Sequence, residues 1–389
     1  MKNFKKSLRL EKLPAYIFSE INEKKARLKK SGVDLIDLGM GDPDLATPRP
    51  IVEELQKTAA QVENQKYAPY AGLEEFQMAA AHWLERRFSI PNTRGNKIIN
   101  LIGTKEGIVN FTFSVVNPGD FVLVPNPGYP VYTNAVVLAG GTPVYYPLRP
   151  ENQFRPDWSE ISEEVWKSTK MIYINFPNNP TSASVSIDTY RELAQLAKKY
   201  DVIVLSDSPY TEHSFQELAP CFLQVPEATE VGIETFSLSK TYNMTGWRIG
   251  FAAGNPQMID ALLHMKSCVD TGVFRAVQRA GILALNGNDD ELIMPSKEVF
   301  RYRREMMLKG LQQKEYEVFD GQSTFYLWIK TPAQRKSMEV CDQLLEKGIV
   351  CTPGIGFGSM GEGWFRMALT VPEERLQEAL QRIPAASQL

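Results

Sequence analysis

The chain is poor in the residues on which several protein classes depend. Its four cysteines, Cys221, Cys268, Cys341 and Cys351, have neither metal-ligand nor redox spacing, so neither a disulfide scaffold nor a zinc module is expected. They read as free, mostly buried thiols of a protein kept in a reducing cytoplasm. Its three histidines, His82, His213 and His264, are too dispersed for a histidine metal site and read as surface or packing residues. No apolar run approaches the ~18 residues of a membrane span. The charged opening MKNFKKSLRLEKLPAY has no apolar core of about 7–15 residues, so no secretory signal is expected in it. A formal net charge of −3 gives no pull toward nucleic acid or an anionic membrane. The densest basic run, residues 24–30, is interrupted by Ala26 and Leu28 and reads as the solvated face of an amphipathic helix. Internal repeats and low-complexity segments are lacking too.

What is present is length and alternation. A chain of 389 residues suffices for two compact lobes with separate cores. Short apolar runs at 98–102, 121–124, 171–174, 202–205 and 249–253 are nearly continuous, as expected of strands buried on both faces. Amphipathic stretches such as 189–200 (TYRELAQLAKKY) lie between them. This alternation predicts an α/β fold with a mostly parallel central sheet. Near Asn286 the texture changes. One long helix is expected over 289–313, then a strand at 323–330, a helix at 337–347, a strand at 348–351, a glycine-rich loop and a last helix at 372–382. The expected division is a large domain over 46–288 and a smaller α+β domain over 289–389, with 1–45 as an N-terminal arm packed on it.

In a parallel sheet, ligands bind beyond the carboxyl ends of the strands. Gly103, Thr104 and Lys105 follow the run at 98–102 and open a helix, which makes an anion cradle of backbone N–H groups and a hydroxyl. Asn179 follows the run at 171–174. Asp207 and Tyr210 follow 202–205. Ser237, Ser239 and Lys240 lie at the end of a further strand candidate, and Arg248 follows eight residues after the lysine. Each feature alone is weak, since lysines are usually solvated, a lone aspartate often caps a helix, and Asn-Pro usually marks a turn. Their convergence on one sheet edge carries the functional reading.

Pyridoxal 5′-phosphate (PLP) chemistry calls for this set. A carbanion at the substrate Cα needs an electron sink, which a protonated pyridine ring supplies. Asp207 suits the ring nitrogen, and Asn179 and Tyr210 suit the phenolate oxygen. Gly103, Thr104, Lys105, Ser237, Ser239 and Arg248 suit the phosphate. Lys240 suits the amine that forms the Schiff base and then moves a proton.

The segment 237–250 (SLSKTYNMTGWRIG) resembles the lysine motif of the class I/II aminotransferases, PLP fold type I. Further likenesses run along the chain: 38–44 (LGMGDPD) to the substrate loop, 67–73 (YAPYAGL) to the segment whose tyrosine reaches a partner subunit's phosphate, 127–132 (PGYPVY) to the segment that stacks on the cofactor, and 365–367 (FRM) to the site of the carboxylate-binding arginine. The resemblance implies a homodimer with shared active sites. It implies that Lys240 is the Schiff-base lysine, Asp207 the partner of the pyridinium, and Tyr129 the stacked ring. Tyr67 would come from the second chain, and Arg366, Asn179 and Gly41 would hold the substrate α-carboxylate. It further implies ping-pong transamination from an amino acid to a 2-oxo acid such as 2-oxoglutarate. A β-lyase or decarboxylase on the same fold is the alternative.

Two positions depart from the family pattern. Ser182 stands where Asn-Pro-Thr is usually followed by Gly, which demands either a backbone outside the left-handed region or some strain. Pro209 stands before Tyr210 and removes an N–H. Within the family, 16–21 (YIFSEI), 103–108 (GTKEGI), 270–274 (DTGVF) and 354–363 (GIGFGSMGEG) look closest to the LL-diaminopimelate aminotransferase type. That likeness would put Tyr16, Lys105 and Tyr129 at the substrate. Tyr70 stands where some relatives carry glutamate.

Other signals are set aside. The G-x-G-x-x-G match at 356–361 has too little chain after it for a dinucleotide-binding βαβ unit and reads as a loop approaching the substrate closely. The S-x-x-K match of Ser237 and Lys240 lacks the S-D-N and K-T-G that a serine hydrolase of that type needs. An aminotransferase-like regulator with a helix-turn-helix is not expected, because only ~45 residues precede the sheet.

Overall fold

The computed structural model describes residues 5–13, 17–91 and 95–389. Seven strands form the central sheet: β1 (Lys97–Leu101), β2 (Phe121–Asn126), β3 (Thr142–Pro147), β4 (Thr169–Ile174), β5 (Ile203–Asp207), β6 (Gly232–Ser237) and β7 (Gly250–Gly254). Their order is β1-β7-β6-β5-β4-β2-β3. All pairings are parallel except those of β7, which runs antiparallel to both neighbours. Five of the seven lie where the apolar runs predict them, β6 begins three residues before its candidate, and β3 matches no predicted run; β4, β5 and β6 are buried nearly throughout because helices cover both faces.

The reversed strand matters for the site. Gly250 at the start of β7 pairs with Leu101 and Ser237 at the ends of β1 and β6. Arg248 therefore reaches the same edge as the residues that follow the parallel strands. The floor beneath that edge is aromatic. Phe236 and Phe251 stack at 5.0 Å between centroids, and Trp83 meets both edge-on. Such pairs contribute about 0.5–1.5 kcal/mol each beyond the area they bury.

The second lobe holds a four-stranded antiparallel sheet of β8 (Val318–Phe319), β9 (Tyr326–Lys330), β10 (Thr352–Pro353) and β11 (Trp364–Ala368), ordered β10-β11-β9-β8. Ile36–Asp37 pairs parallel with Ile349–Val350, and Ile36 and Leu38 join this lobe's core with Phe300, Phe325, Leu327 and Phe365.

Three expectations need correction. The sheet opens only at Lys97, well beyond the ~45 residues expected before it, because residues 49–88 form helices first. The single helix over 289–313 is broken: a short helix, Asp289–Leu292, ends at Ile293 and a second runs Met294–Gln313. Pro295 explains the restart, since it lacks an N–H and suits a first helical turn. The strand expected from 323 begins only at Tyr326, because Gln322 and Thr324 have φ of 56° and 59°, outside extended backbone.

Candidate active site

A cavity of about 740 Å³ opens between the carboxyl edge of the large sheet and the smaller lobe. Of the residues expected from the sequence, all but Gly103, Tyr67 and Tyr16 line it. Gly103 lies just behind the wall, Tyr67 lies elsewhere, and Tyr16 falls outside the described residues.

The anion cradle is built by close approach. Gly103 caps the helix Thr104–Val115 with φ 79°. A Cβ there would come within 2.4 Å of Arg248 Nη2, so only glycine lets the guanidinium lie against the helix start. Arg248 is held from behind, donating from Nη1 to the Thr245 carbonyl at 2.8 Å. Ser239 N–H donates to Ser237 Oγ at 3.2 Å. The Ser239 hydroxyl is buried and has no partner. A helix N-terminus, a guanidinium and a spare hydroxyl make a site for a multiply charged anion.

Asp207 ends β5 and is buried. Tyr132 Oη donates to its Oδ2 and Thr235 Oγ1 to its Oδ1, each at 2.8 Å. Thr235 is its direct cross-strand neighbour on β6. Burial nonetheless pushes the carboxyl up to about 6, because the donors offset only part of the desolvation. Tyr132 in turn stacks on Tyr173 at 4.9 Å, which fixes its hydroxyl.

Lys240 leaves β6 through the short helix Leu238–Thr241. Its Nζ donates to the Gly41 carbonyl at 2.8 Å. Burial lowers its pKa to about 8; Asp42 opposes the shift, and Arg248 and Arg366 add to it. A lysine poised there is an amine for part of its time at neutral to mildly alkaline pH.

The opposite wall centres on Arg366 of β11. Nη1 donates to Asn179 Oδ1 at 2.6 Å and Nη2 to the Gly39 carbonyl at 2.8 Å. The guanidinium lies 4.1 Å from the Tyr326 ring centroid and 4.8 Å from that of Phe357. Its Nε is buried without a partner, and among the described residues no carboxylate lies within ion-pair distance. A buried cation so placed calls for an anion from outside the protein. Tyr210 is buried beside this wall, its hydroxyl 3.0 Å from that of Tyr326. Tyr129 packs edge-on to Tyr132 at 5.8 Å, and Lys105 is exposed in the first turn of its helix.

Several contacts have no counterpart in the sequence reading. Tyr132, Thr235, Tyr326 and Phe357 all touch site residues. Tyr132 sits in the aromatic segment 127–132, where two tyrosines compete for one role. Thr235 could have been found from strand register once β5 and β6 were paired. Tyr326 and Phe357 carry no local signal. The glycine-rich stretch forms two 3₁₀ turns, Gly354–Phe357 and Ser359–Gly361, and it brings Phe357 against Arg366.

Both family departures are accommodated. Ser182 adopts the left-handed conformation, with φ 66°. Pro209 sits between Ser208, whose N–H bonds the Thr235 carbonyl at 2.9 Å, and Tyr210, whose carbonyl accepts from His213 N at 2.9 Å. The missing N–H costs no ladder bond there.

Comparison with known proteins gives a single answer. Residues 33–383 match the family described as aminotransferase class I and II. The LL-diaminopimelate aminotransferase of Aquifex aeolicus (strain VF5) is 50% identical over 98% of this chain and 98% of its own. That of Nitratidesulfovibrio vulgaris strain Hildenborough is 44% identical over 98% and 99%. Among solved structures, substrate-bound BacF from Bacillus subtilis superposes with a TM-score of 0.93 at 32% identity, covering 98% of this chain and 97% of that one. Aspartate aminotransferase from Thermus thermophilus with maleate gives 0.90 at 29% identity, covering 98% and 99%. The anion cradle, the half-buried lysine, the buried carboxylate, and the arginine with no carboxylate partner among the described residues thus sit in a chain that belongs to the class I and II aminotransferases.

Proposed function

We propose that this aminotransferase works with PLP, takes LL-diaminopimelate as amino donor and passes the amino group to 2-oxoglutarate in a ping-pong cycle. The observation that carries the cofactor assignment is the meeting of a half-buried lysine, a buried carboxylate and an anion cradle at one sheet edge. The donor set fits the group. The cradle has an unpartnered buried hydroxyl at Ser239 and no room for a side chain at Gly103. Asp207 accepts from the Tyr132 and Thr235 hydroxyls, with that of Thr104 also holding its pKa down, and can still accept from a ring N–H, which would draw its raised pKa back down. When bound, PLP supplies the electron sink for charge developing at the substrate Cα.

The geometry supports the following part for the protein's own residues. Thr104, Ser237, Ser239, Arg248 and the helix start would hold the phosphate. Asp207 would keep a proton on the ring nitrogen, and Tyr210 and Asn179 would serve the phenolate oxygen. Lys240 would anchor the cofactor and, as an amine, would accept and return the Cα proton; a pKa of about 8 suits that exchange. Arg366 and Asn179 hold the α-carboxylate, which orients the Cα–H bond.

The donor assignment rests on relatives of that name at 42–50% identity over nearly the whole chain. LL-diaminopimelate carries a second ammonium and carboxylate at its far end. At the cavity wall Lys25 and Asp37 pair with each other, and Asp42 and Lys105 offer both signs of charge to it.

We read the active form as a homodimer, with 46–288 as the cofactor-binding domain and 1–45 with 289–389 as the smaller one. Tyr67 is 80% exposed, and Val62, Tyr70 and Phe274 are exposed as well, an apolar surface that a second copy would cover. No described helix is long and apolar enough to cross a membrane, and we place the enzyme in the cytoplasm. The test is a screen of single half-reactions with LL-diaminopimelate, aspartate and alanine on the PLP-loaded enzyme. Amino-group transfer fastest from LL-diaminopimelate is expected; transfer from aspartate or alanine alone refutes the donor assignment.

A further inference from the structure

Ser182 occupies a backbone position that favours glycine, at φ 66°. A side chain in the left-handed region crowds the following carbonyl, so its retention calls for a compensating contact. The Ser182 hydroxyl is fully buried and makes two. It lies 2.9 Å from the Tyr326 carbonyl, to which it donates, and 2.6 Å from Thr324 Oγ1. Thr324 Oγ1 also accepts from Tyr326 N–H at 3.0 Å. One proton arrangement satisfies all three contacts: Tyr326 N–H donates to Thr324, the Thr324 hydroxyl donates to Ser182, and Ser182 donates to the Tyr326 carbonyl. The chain of bonds closes on the backbone of a single residue. Arg304 donates to that same carbonyl at 2.9 Å.

The two ends of this ring belong to different lobes. On one side, Ser182 lies in the loop after β4, where Ser182 N bonds Asn178 O and Asn178 N bonds Ala183 O, each at 2.8 Å. That loop presents Asn179 to Arg366 Nη1. On the other side, Tyr326 opens β9 and lays its ring on the same guanidinium. The approach is tight: a Cβ at Gly321 would come within 2.1 Å of the Ser182 carbonyl oxygen. Ser184 and Ser323 add a second hydroxyl contact at 2.8 Å.

We infer that Ser182 is a positioning residue for substrate carboxylate binding: its hydroxyl locks the Asn179 loop to β9, so that Asn179 and Tyr326 grip Arg366 from two sides. It acts through those residues and touches no substrate. The inference rests on the reading of Arg366 as the α-carboxylate site.

The test is steady-state kinetics of the PLP-loaded enzyme with LL-diaminopimelate and 2-oxoglutarate, alongside thermal unfolding. Ser182→Gly removes the hydroxyl and relieves the backbone. KM for both substrates should rise together by about 5–20-fold, the loss expected of one buried hydrogen-bond link, with kcat within about twofold and the unfolding temperature equal or higher. Thr324→Ser keeps the ring and should behave as wild type. Thr324→Val should match Ser182→Gly, and the double variant should be no worse than either single one. Unchanged KM in Ser182→Gly overturns the inference. So does a rise for one substrate only, which would mark side-chain recognition, or additive losses in the double variant. Arg366→Lys is the control: if it leaves both KM values unchanged, the carboxylate reading itself has failed, whatever Ser182 does.

Discussion

On the sheet side of the cavity, Thr104, Asp207, Ser237, Lys240 and Arg248 each lie within three residues of a strand end. Strand register fixes them, and an apolar core lies directly beneath. On the small-lobe side, Gly39, Tyr326, Phe357 and Arg366 come from four separate segments, and Asn179 reaches over to Arg366 from the large lobe. Side-chain hydrogen bonds and ring contacts between lobes hold them. The first wall is preorganised by backbone, the second by contacts that single atoms can undo. Damage to the sheet side should therefore abolish chemistry with every substrate. Damage to the small-lobe side should loosen substrate binding and leave the cofactor seated.

The largest expected effect is that of Lys240→Ala. Turnover should fall by at least about a thousandfold, the scale of lost nucleophile and proton transfer together, and the violet absorbance of bound cofactor should vanish. Wild-type turnover in that variant would break the comparison at its root. Asp207→Asn should cost on the order of a hundredfold in kcat, the scale of one lost electrostatic partner. It carries a second readout in the cofactor-free protein. The Asp207 carboxyl sits at about 6 when folded, above its ordinary 3.8. Between those values the folded chain holds a proton that the unfolded chain has released, so the carboxylate destabilises the fold increasingly as pH rises from about 4 to 6 and at a constant level above. The melting temperature of cofactor-free Asp207→Asn should exceed wild type more at pH 8 than at pH 4.5; an equal difference at both would contradict the burial argument.

On the other wall the effects are smaller. Arg366→Leu should lower kcat/KM by roughly 10–100-fold for donor and acceptor alike, as expected for lost charged hydrogen bonds, with the cofactor absorbance intact. Loss of that absorbance would erase the distinction between the walls. Tyr326→Phe keeps the ring on Arg366 and removes the hydroxyl that meets Tyr210. A change of about 2–10-fold in kcat/KM is expected, readable as a split between kcat, if Tyr210 is disturbed, and KM, if Arg366 is.

The same contrast governs what could be read from the residues. The sheet wall was legible because apolar runs locate strands, strand ends locate ligands, and the chemistry-bearing side chains follow within a few positions. Even so, the reversal of β7 that brings Arg248 to the edge was not, since no local pattern sets strand direction. On the small-lobe wall, Arg366 was legible only through family resemblance, and Asn179 from its place after the run at 171–174. Tyr326 and Phe357 were not, because an aromatic residue in a strand or a glycine-rich loop looks the same whether it packs a core or seats a guanidinium. Ser182 was visible as a departure, but its hydroxyl's partners lie more than a hundred positions away. The break at Ile293 was signalled by Pro295, which marks a helix start as readily as it tolerates a first turn.

The most direct test of the central claim is borohydride reduction of the PLP-loaded enzyme, followed by peptide mapping by mass spectrometry. The account predicts one phosphopyridoxyl group per chain, on the peptide that contains Lys240. A label on Lys105, on Lys25, or on no peptide would contradict it.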